Sequence, residues 1–206
     1  MADARSVVLG RIRRALADRP AAPEIPRSYD VTRPLGDLVE LAAERIADYQ
    51  AEVHRVTAED VPAKIAELLA ARGAARMVGP VDLPSNWQVD VAEWMIDSPS
   101  LTIDQLDAAD GVLTGCAVAI AETGTIVLDG GEAQGRRALT LVPDYHLCVV
   151  RVDQIVGIVP EALARLAPTR PLTFISGPSA TSDIELNRVE GVHGPRNLHV
   201  ILLEAA

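Results

Sequence analysis

The chain has 206 residues, enough for one sizeable hydrophobic core. Hydrophobic residues make up 49% of it and aromatic residues only 3%, so Val, Ile, Leu and Ala must form a core of the kind found in helix-covered parallel sheets. The formal net charge of −10 is balanced by no basic stripe, which argues against a nucleic-acid partner. No apolar run approaches the roughly 18–20 residues that span a bilayer, and the N-terminus does not resemble a signal peptide. We therefore expect a cytoplasmic protein without membrane insertion.

The N-terminal segment predicts a helical arm followed by an extended linker. Apolar residues recur on one face of residues 4–17, as in an amphipathic helix. Four prolines then fall between residues 19 and 34, and they preclude a continuous helix there. We therefore divide the chain into residues 1–34, the helix and proline-containing linker, and residues 35–206, one α/β domain. The first helix is free to pack on a neighbouring subunit, which makes a homo-oligomer possible.

Strand and helix patterns alternate through the domain. Helices are expected over residues 35–50, 59–71, 159–166 and 182–190. A further helix is expected within residues 81–99. Short strands are expected at 54–56, 75–78, 116–121, 125–128, 139–142, 146–152, 172–175 and 198–203. This alternation is typical of an α/β fold, in which helices pack on a mostly parallel sheet.

A carboxylate stands beside a glycine turn in the run Ala121-Glu122-Thr123-Gly124-Thr125. The β-rich residues on both sides predict a hairpin or a bent strand. Poor solvation in such a turn would raise the pKa of Glu122, which suits a general acid, a general base or a nucleophile. The pattern leaves open that Glu122 instead hydrogen-bonds the loop or pairs with Arg136 or Arg137.

A polar loop follows the predicted strand at 172–175. It contains Ser176-Gly177-Pro178-Ser179, and Ser182 further on lies three residues before Glu185, the spacing of a helix capping box. We therefore predict a helix from residue 182, whose N-terminal amides and hydroxyls would bind an anion. The loop is neither a P-loop nor a dinucleotide fingerprint, because the required lysine and further glycines are missing. An ordinary turn before a capped helix is the alternative.

Glycines flank His193 in the run Gly191-Val192-His193-Gly194-Pro195. Glycine lets the backbone approach a ligand closely, and an imidazole exchanges protons near neutral pH. His193 is therefore a candidate catalytic residue, with a purely structural role as the alternative. No pair of histidines has the spacing of metal ligands, so no bound metal is expected.

Four further side chains lie in apolar runs. The thiols of Cys116 and Cys148 are expected to be small buried groups, and two cysteines are too few for an iron–sulfur cluster. The imidazoles of His146 and His199 are expected within strands, as core or sheet-face residues.

Five segments, in this order along the chain, resemble the lactate-utilisation (LUD) domain family. They are residues 121–125, 175–179, 181–185, 191–195 and the strand at 198–202. The resemblance implies a three-layer α/β/α sandwich like that of the sugar-phosphate isomerase and coenzyme A transferase superfamily, also called NagB/RpiA/CoA transferase-like. It also implies a role in oxidising L-lactate to pyruvate together with iron–sulfur partner proteins. Iron–sulfur clusters are then expected only on those partners, with no cofactor bound by this chain.

The two motifs together define the candidate site, with Glu122 and His193 as catalytic residues on either side of one crevice. The candidate ligand-binding residues are Thr123, Gly124, Thr125, Ser176, Gly177, Ser179, Thr181, Ser182, Asp183 and Gly194. The expected ligand is a small carboxylate or phosphate. Two other functions stay open, namely a free-standing transferase or isomerase that uses Glu122, and a regulatory module that binds a small anion without catalysis.

One position departs from the family pattern. The family often carries an arginine between the serine and threonine of the polar loop, where this chain has Ala180. If that arginine meets a carboxylate ligand, anion binding by this chain is either weaker or supplied by a cation from elsewhere. Arg136, Arg137 and Arg196 are the candidates.

Overall fold

The structure is a computed structural model that describes residues 3–18, 24–182, 188–190 and 193–204. The chain divides into two compact units, residues 1–30 and residues 31–206, whereas the boundary expected from the sequence followed residue 34. The helices are α1 (Ala4–Ala15), α2 (Leu38–Asp48), α3 (Val61–Arg72), α4 (Ile103–Asp107) and α5 (Val159–Arg165). Among the described residues, no helix combines the length and the apolar character needed to cross a membrane.

The first unit contains α1, and its position matches the helix predicted over residues 4–17. The Asp3 side chain caps it by accepting a hydrogen bond from the Arg5 amide at 3.2 Å. The apolar face is exposed, with Val8 at 54% and Ile12 at 49%.

The second unit is built on a six-stranded sheet in which every neighbouring pair is parallel. The strands of the chain are β1 (Glu52–Thr57), β2 (Arg76–Gly79), β3 (Glu93–Ile96), β4 (Gly111–Thr114), β5 (Val118–Ile120), β6 (Thr125–Leu128), β7 (Tyr145–Arg151), β8 (Ile155–Val156), β9 (Thr173–Ile175), β10 (Ala180–Ser182), β11 (Arg188–Glu190) and β12 (Asn197–Glu204). The order in the six-stranded sheet is β1-β12-β7-β4-β2-β3. The predicted α/β fold with a mostly parallel sheet is confirmed.

Helices cover both faces of this sheet, which is why its central strands are apolar on both sides. On one face, α3 buries Ile65 and Leu69 against residues of β7 and β12. On the other face, α2 buries Ala42 and Ile46 against the alternate residues of the same strands. The end of α3 is set by Gly73, which adopts the left-handed conformation at φ 65°, as its position in the sequence predicted.

A second, four-stranded sheet packs on the face that carries α2. Its order is β8-β5-β6-β9. The pairing of β5 with β6 is antiparallel, which confirms the hairpin predicted around the glycine turn. One face of this sheet joins the core under α2, and α5 covers the other through Ala162 and Leu166. The sheet therefore holds the glycine turn and the polar loop after β9 on one rigid support.

Two predicted elements are wrong, because periodicity cannot assign a short apolar run to a helix or a strand. Residues 81–99 form a 3-10 turn at Ser85–Trp87 and the edge strand β3, not a helix, since prolines 84 and 99 interrupt the segment. Residues 139–142 lie in and after a 3-10 turn at Arg137–Thr140, not in a strand. The buried side chain of Leu139 gives this turn its apolar character.

The helix predicted over residues 182–190 is also wrong. The segment instead contains the antiparallel hairpin β10–β11, in which Ser182 is the register partner of Arg188. Residues 183–187, which include Glu185 of the predicted capping box, lie outside the described residues. The capping signal describes one turn only, and the pairing of β10 with β11 on either side of that turn overrides it. The expected helix dipole therefore does not contribute to anion binding here.

Candidate functional site

A cavity of about 220 Å³ lies between the loop after β9 and the segment that leads into β12. Its polar lining includes Ser176, Ser179 and Thr140, together with the imidazoles of His146 and His193. Its apolar lining includes Leu141, Phe174, Ile175 and Leu198. It therefore offers hydroxyl and imidazole groups beside a small hydrophobic wall.

The central sheet supplies the floor of this cavity at its amino-terminal edge. His146 is the second residue of β7 and Leu198 the second residue of β12, and the two are register partners. The His146 side chain is buried, and its Nε2 atom lies 2.8 Å from the Thr114 hydroxyl on β4. This hydrogen bond fixes the orientation of the imidazole below the cavity.

Two hydrogen bonds join the loops that line the cavity. The Ser179 amide donates to the Pro195 carbonyl at 2.7 Å, and the His193 amide donates to the Ser179 hydroxyl oxygen at 3.0 Å. Since that oxygen acts as an acceptor, the hydroxyl hydrogen of Ser179 is still available as a donor. The loops thus form one wall, with a serine donor beside an exposed imidazole.

Gly177 is required where the polar loop crosses the end of α2. Its φ is 79°, a left-handed conformation that side chains rarely adopt, and a Cβ atom there would lie 2.5 Å from Tyr49. The close approach of the two backbones holds Ser176 and Ser179 at the cavity.

The glycine turn lies next to the cavity and is linked to it through hydroxyl groups. The Thr125 hydroxyl is 2.8 Å from that of Thr123 and 2.8 Å from that of Ser176. Gly124 has a φ of 59°, and a Cβ atom there would lie 2.4 Å from the Arg45 carbonyl oxygen. Thr123, Gly124 and Thr125 are not among the residues that line the cavity. The turn instead stabilises the wall of the cavity through the contact of Thr125 with Ser176.

Glu122 is also not among the residues that line this cavity. Its amide donates to the Gly157 carbonyl at 3.0 Å, and its carboxylate forms a salt bridge with Arg33. The carboxylate side chain is 36% exposed, so the expected poor solvation is not found. The structure brings His193 to the cavity and leaves Glu122 in an ion pair at the turn; the catalytic roles assigned to both stay predictions.

The other predicted ligand residues fall in two groups. Gly194 lines the cavity together with Ser176, Gly177 and Ser179. Thr181 and Ser182 belong to β10, where Thr181 is the register partner of Val189. Asp183 lies outside the described residues, as do residues 191 and 192.

A second cavity, of about 600 Å³, adjoins the first, because Thr140 and Thr173 line both. Arg136, Arg137 and Arg170 contribute to its lining. It brings arginine side chains close to the serine and histidine groups of the first cavity.

Two of the three arginines proposed to compensate for Ala180 are held by carboxylates. Arg136 donates to both Asp97 oxygens, at 2.8 and 3.1 Å, and Arg196 donates to Asp144 at 2.6 Å. Burial alone would raise the pKa of Asp97, but hydrogen bonds from Arg136 and from the Leu101 amide outweigh it and lower that pKa. Exposed Arg137 is the remaining candidate.

The two cysteines are free and buried, as predicted. A hydrogen bond with Cys148, reinforced by burial, raises the pKa of the Cys116 thiol well above its ordinary value. Cys116 also contacts Gln154, whose amide nitrogen donates to the Cys116 carbonyl at 2.6 Å. These contacts give the thiols a structural role in the core.

The same chain matches known proteins over nearly its whole length. The model of the LUD domain matches residues 39–203. A protein of Deinococcus radiodurans named Lactate utilization protein C is 48% identical over 98% of this chain and 96% of its own length. A protein of the same name from Geobacillus kaustophilus is 30% identical over 73% of each chain. A solved structure described as a DUF162 family protein from Deinococcus radiodurans shares 44% identity with a TM-score of 0.73, covering 82% of this chain and 99% of that one.

Proposed function

The chain belongs to the LUD domain family, and from this premise we propose that it is a non-iron–sulfur component of a cytoplasmic L-lactate utilisation system. The observation that carries the proposal is the 48% identity to a Lactate utilization protein C over 98% of the chain. In this proposal the chain acts in the oxidation of L-lactate to pyruvate together with iron–sulfur partner proteins. Its two cysteines are too few to hold a cluster, so clusters in such a system belong to other chains.

The size and the lining of the cavity favour a small hydroxy acid or keto acid as its ligand. Its volume of about 220 Å³ lies below the roughly 300–1,000 Å³ typical of pockets for drug-sized ligands. The Ser176 and Ser179 hydroxyls are suited to donate hydrogen bonds to a carboxylate, while Leu198 and Phe174 offer an apolar surface for a methyl group. Lactate and pyruvate combine these two features in a molecule of this size.

His193 supplies the proton chemistry in this proposal. Oxidation of lactate to pyruvate breaks the O–H bond and the C–H bond at the α-carbon and so releases two protons and two electrons. His193 accepts the hydroxyl proton, and the α-carbon proton passes to solvent as the electron pair of the C–H bond is removed. An imidazole is the side chain best suited to accept a proton near neutral pH, and that of His193 is exposed at the cavity. The two electrons pass to iron–sulfur clusters of the partner proteins.

The ion pair between Glu122 and Arg33 does not favour the transferase alternative. A carboxylate nucleophile must reach its substrate, and Glu122 is instead held by a guanidinium group and is not among the residues that line the cavity. A regulatory module without catalysis would use the same cavity, and it differs from the proposed function only in the absence of turnover.

Deletion of the gene tests the proposal. We expect the deletion strain to lose growth on L-lactate and to keep normal growth on glucose, and the wild-type gene should restore growth on L-lactate. Normal growth of the deletion strain on L-lactate as sole carbon source would contradict the proposal. A complementing gene that carries Ser179→Ala or His193→Ala then tests whether the cavity is needed.

A further inference from the structure

We propose that Glu52, His54 and His199 form a binding site for a divalent transition-metal ion of the zinc class. Glu52 and His54 lie two positions apart on β1 and hence on one face of the strand. His199 lies on the neighbouring β12 and is the register partner of Glu52. One ligand atom from each residue lies within 4.8 Å of those of the other two.

The distances from the carboxylate are close to those that a metal ion requires. Glu52 Oε1 lies 3.4 Å from His199 Nε2, and Glu52 Oε2 lies 3.9 Å from His54 Nε2. With zinc bonds of about 2.0–2.2 Å, neighbouring ligand atoms of a tetrahedral site are about 3.3–3.6 Å apart. The Glu52 side chain is 66% exposed, so its rotation can bring the three donors onto one ion.

A buried imidazole nitrogen without a hydrogen-bond partner among the described residues, Nε2 of His54, indicates a ligand at this position. Within the described part of the chain, His54 Nε2 is buried and has no hydrogen-bond partner, although it faces Glu52. Buried polar atoms are normally paired, and each exception needs an explanation. The His199 side chain beside it is only 8% exposed. A metal ion would satisfy the lone pair of the buried nitrogen.

The chemistry of the three donors selects the class of metal. Imidazole ligands favour zinc and other transition metals over magnesium and calcium, which prefer oxygen ligands. Two histidines and one glutamate also form the protein ligands of known catalytic zinc sites, which leave a fourth position for water.

Two positively charged side chains, Lys64 and Arg72, lie near the three proposed ligands, and each interacts with another group. Lys64 forms an ion pair with Glu67 at 2.6 Å, and the Arg72 guanidinium lies over the Tyr145 ring, 4.3 Å from its centroid. Repulsion of a bound metal ion by Lys64 is therefore reduced by its own carboxylate partner. The spacing of histidines along the sequence gave no sign of a site, because pairing of β1 with β12 is what joins these residues.

Calorimetric titration of the purified full-length protein with Zn²⁺ tests the proposal. We expect one Zn²⁺ ion to bind per chain. Co²⁺ bound in its place should give the visible absorption bands of a four-coordinate site. Glu52→Gln should weaken Zn²⁺ binding by more than about 100-fold, since loss of a mere supporting residue already costs about 10–100-fold. Mg²⁺ should not compete.

Two variants serve as matched controls. His193→Ala removes an exposed imidazole, and Glu93→Gln removes an exposed carboxylate on the edge strand at the far side of the sheet, so both should bind Zn²⁺ as the wild type does. His54→Ala and Glu52→Gln are decisive even if His199→Ala does not fold. Unchanged Zn²⁺ affinity in His54→Ala and Glu52→Gln, or no binding of Zn²⁺ by the wild type, would overturn the proposal. Zn²⁺ should also raise the Tm of the wild type and not that of Glu52→Gln.

Discussion

The Ser179 hydroxyl accepts a hydrogen bond from the His193 amide at 3.0 Å, across 14 positions of sequence. Together with the bond from the Ser179 amide to the Pro195 carbonyl, it joins the polar loop and the histidine loop into one wall. The cavity therefore depends on a contact between the two motifs that carry the family resemblance.

Ser179→Ala should weaken binding of L-lactate and pyruvate by about 10- to 150-fold. The substitution removes the acceptor of the His193 amide and the proposed donor to the ligand carboxylate, and a lost hydrogen bond to a charged group costs about 1.5–3 kcal/mol. Calorimetric titration with each acid measures the affinity. Ser85→Ala, in the 3-10 turn away from the cavity, is the matched control and should bind as the wild type does. Equal affinity in Ser179→Ala would show that this hydroxyl does not contact the ligand.

Gly124→Ala should destabilise the fold by about 2–4 kcal/mol, because it combines a strained backbone with a steric clash. The added methyl group would lie 2.4 Å from the Arg45 carbonyl oxygen at a φ of 59°. Urea denaturation measures the free energy of unfolding. Gly10→Ala in α1 is the control, because no atom lies within 4 Å of its Cβ position. It should be neutral or stabilise α1 by up to about 1 kcal/mol. A Gly124→Ala protein as stable as the wild type would mean that α2 is not packed against the turn as described.

Thr114→Val should destabilise the fold by about 1–3 kcal/mol, because it leaves the buried Nε2 atom of His146 without a partner. Valine keeps the shape of threonine, so the loss reports the hydrogen bond rather than packing. Thr57→Val is the control, since that hydroxyl contacts Asp60 at an exposed position and its loss should cost less. If the two variants lose equal stability, His146 is not held by Thr114.

Arg136→Met should raise the pKa of Asp97 above its ordinary value of about 3.9. In the wild type that pKa is lowered, because hydrogen bonds outweigh a burial that leaves the side chain only 8% exposed. Asp97 therefore contributes stability above pH 4 that is lost as the pH falls through its lowered pKa. NMR titration of the side-chain carboxyl carbon measures the shift. Arg196→Met, which removes a partner from the more exposed Asp144, should leave the pKa of Asp97 unchanged. A pKa of Asp97 that stays low in Arg136→Met would rule out Arg136 as its cause.

Much of the fold could be predicted from local patterns. The turn at Gly73, the hairpin around Gly124 and the strands at 146–152 and 198–203 all carry their signal in a few neighbouring residues. The strand β4 (Gly111–Thr114) was missed because a four-residue strand that is fully buried has no alternation to reveal it, and the apolar run at 116–121 follows it closely. The hairpin β10–β11 was mistaken for a helix because a capping signal describes one turn only.

The site was harder to predict, because its geometry depends on distant pairs. The structure places the Ser176–Ser179 loop and His193 around one cavity, whereas Glu122, expected on the opposite side of the same crevice, is not among its lining residues. His146 was assigned to a strand, but its place at the cavity depends on β7 pairing with β12, which no local pattern shows. Arg33, the partner of Glu122, stands 89 positions away in the predicted linker, so the sequence suggested nearby arginines instead.

Affinity purification of the tagged chain from cells grown on L-lactate tests the central claim most directly. Iron and acid-labile sulfide in the eluate, together with its rate of L-lactate oxidation to pyruvate with an added electron acceptor, are the quantities to measure. We predict that an iron–sulfur protein elutes with the chain and that the eluate oxidises L-lactate. An eluate without iron and without this activity, from cells whose lysate does oxidise L-lactate, would contradict the account.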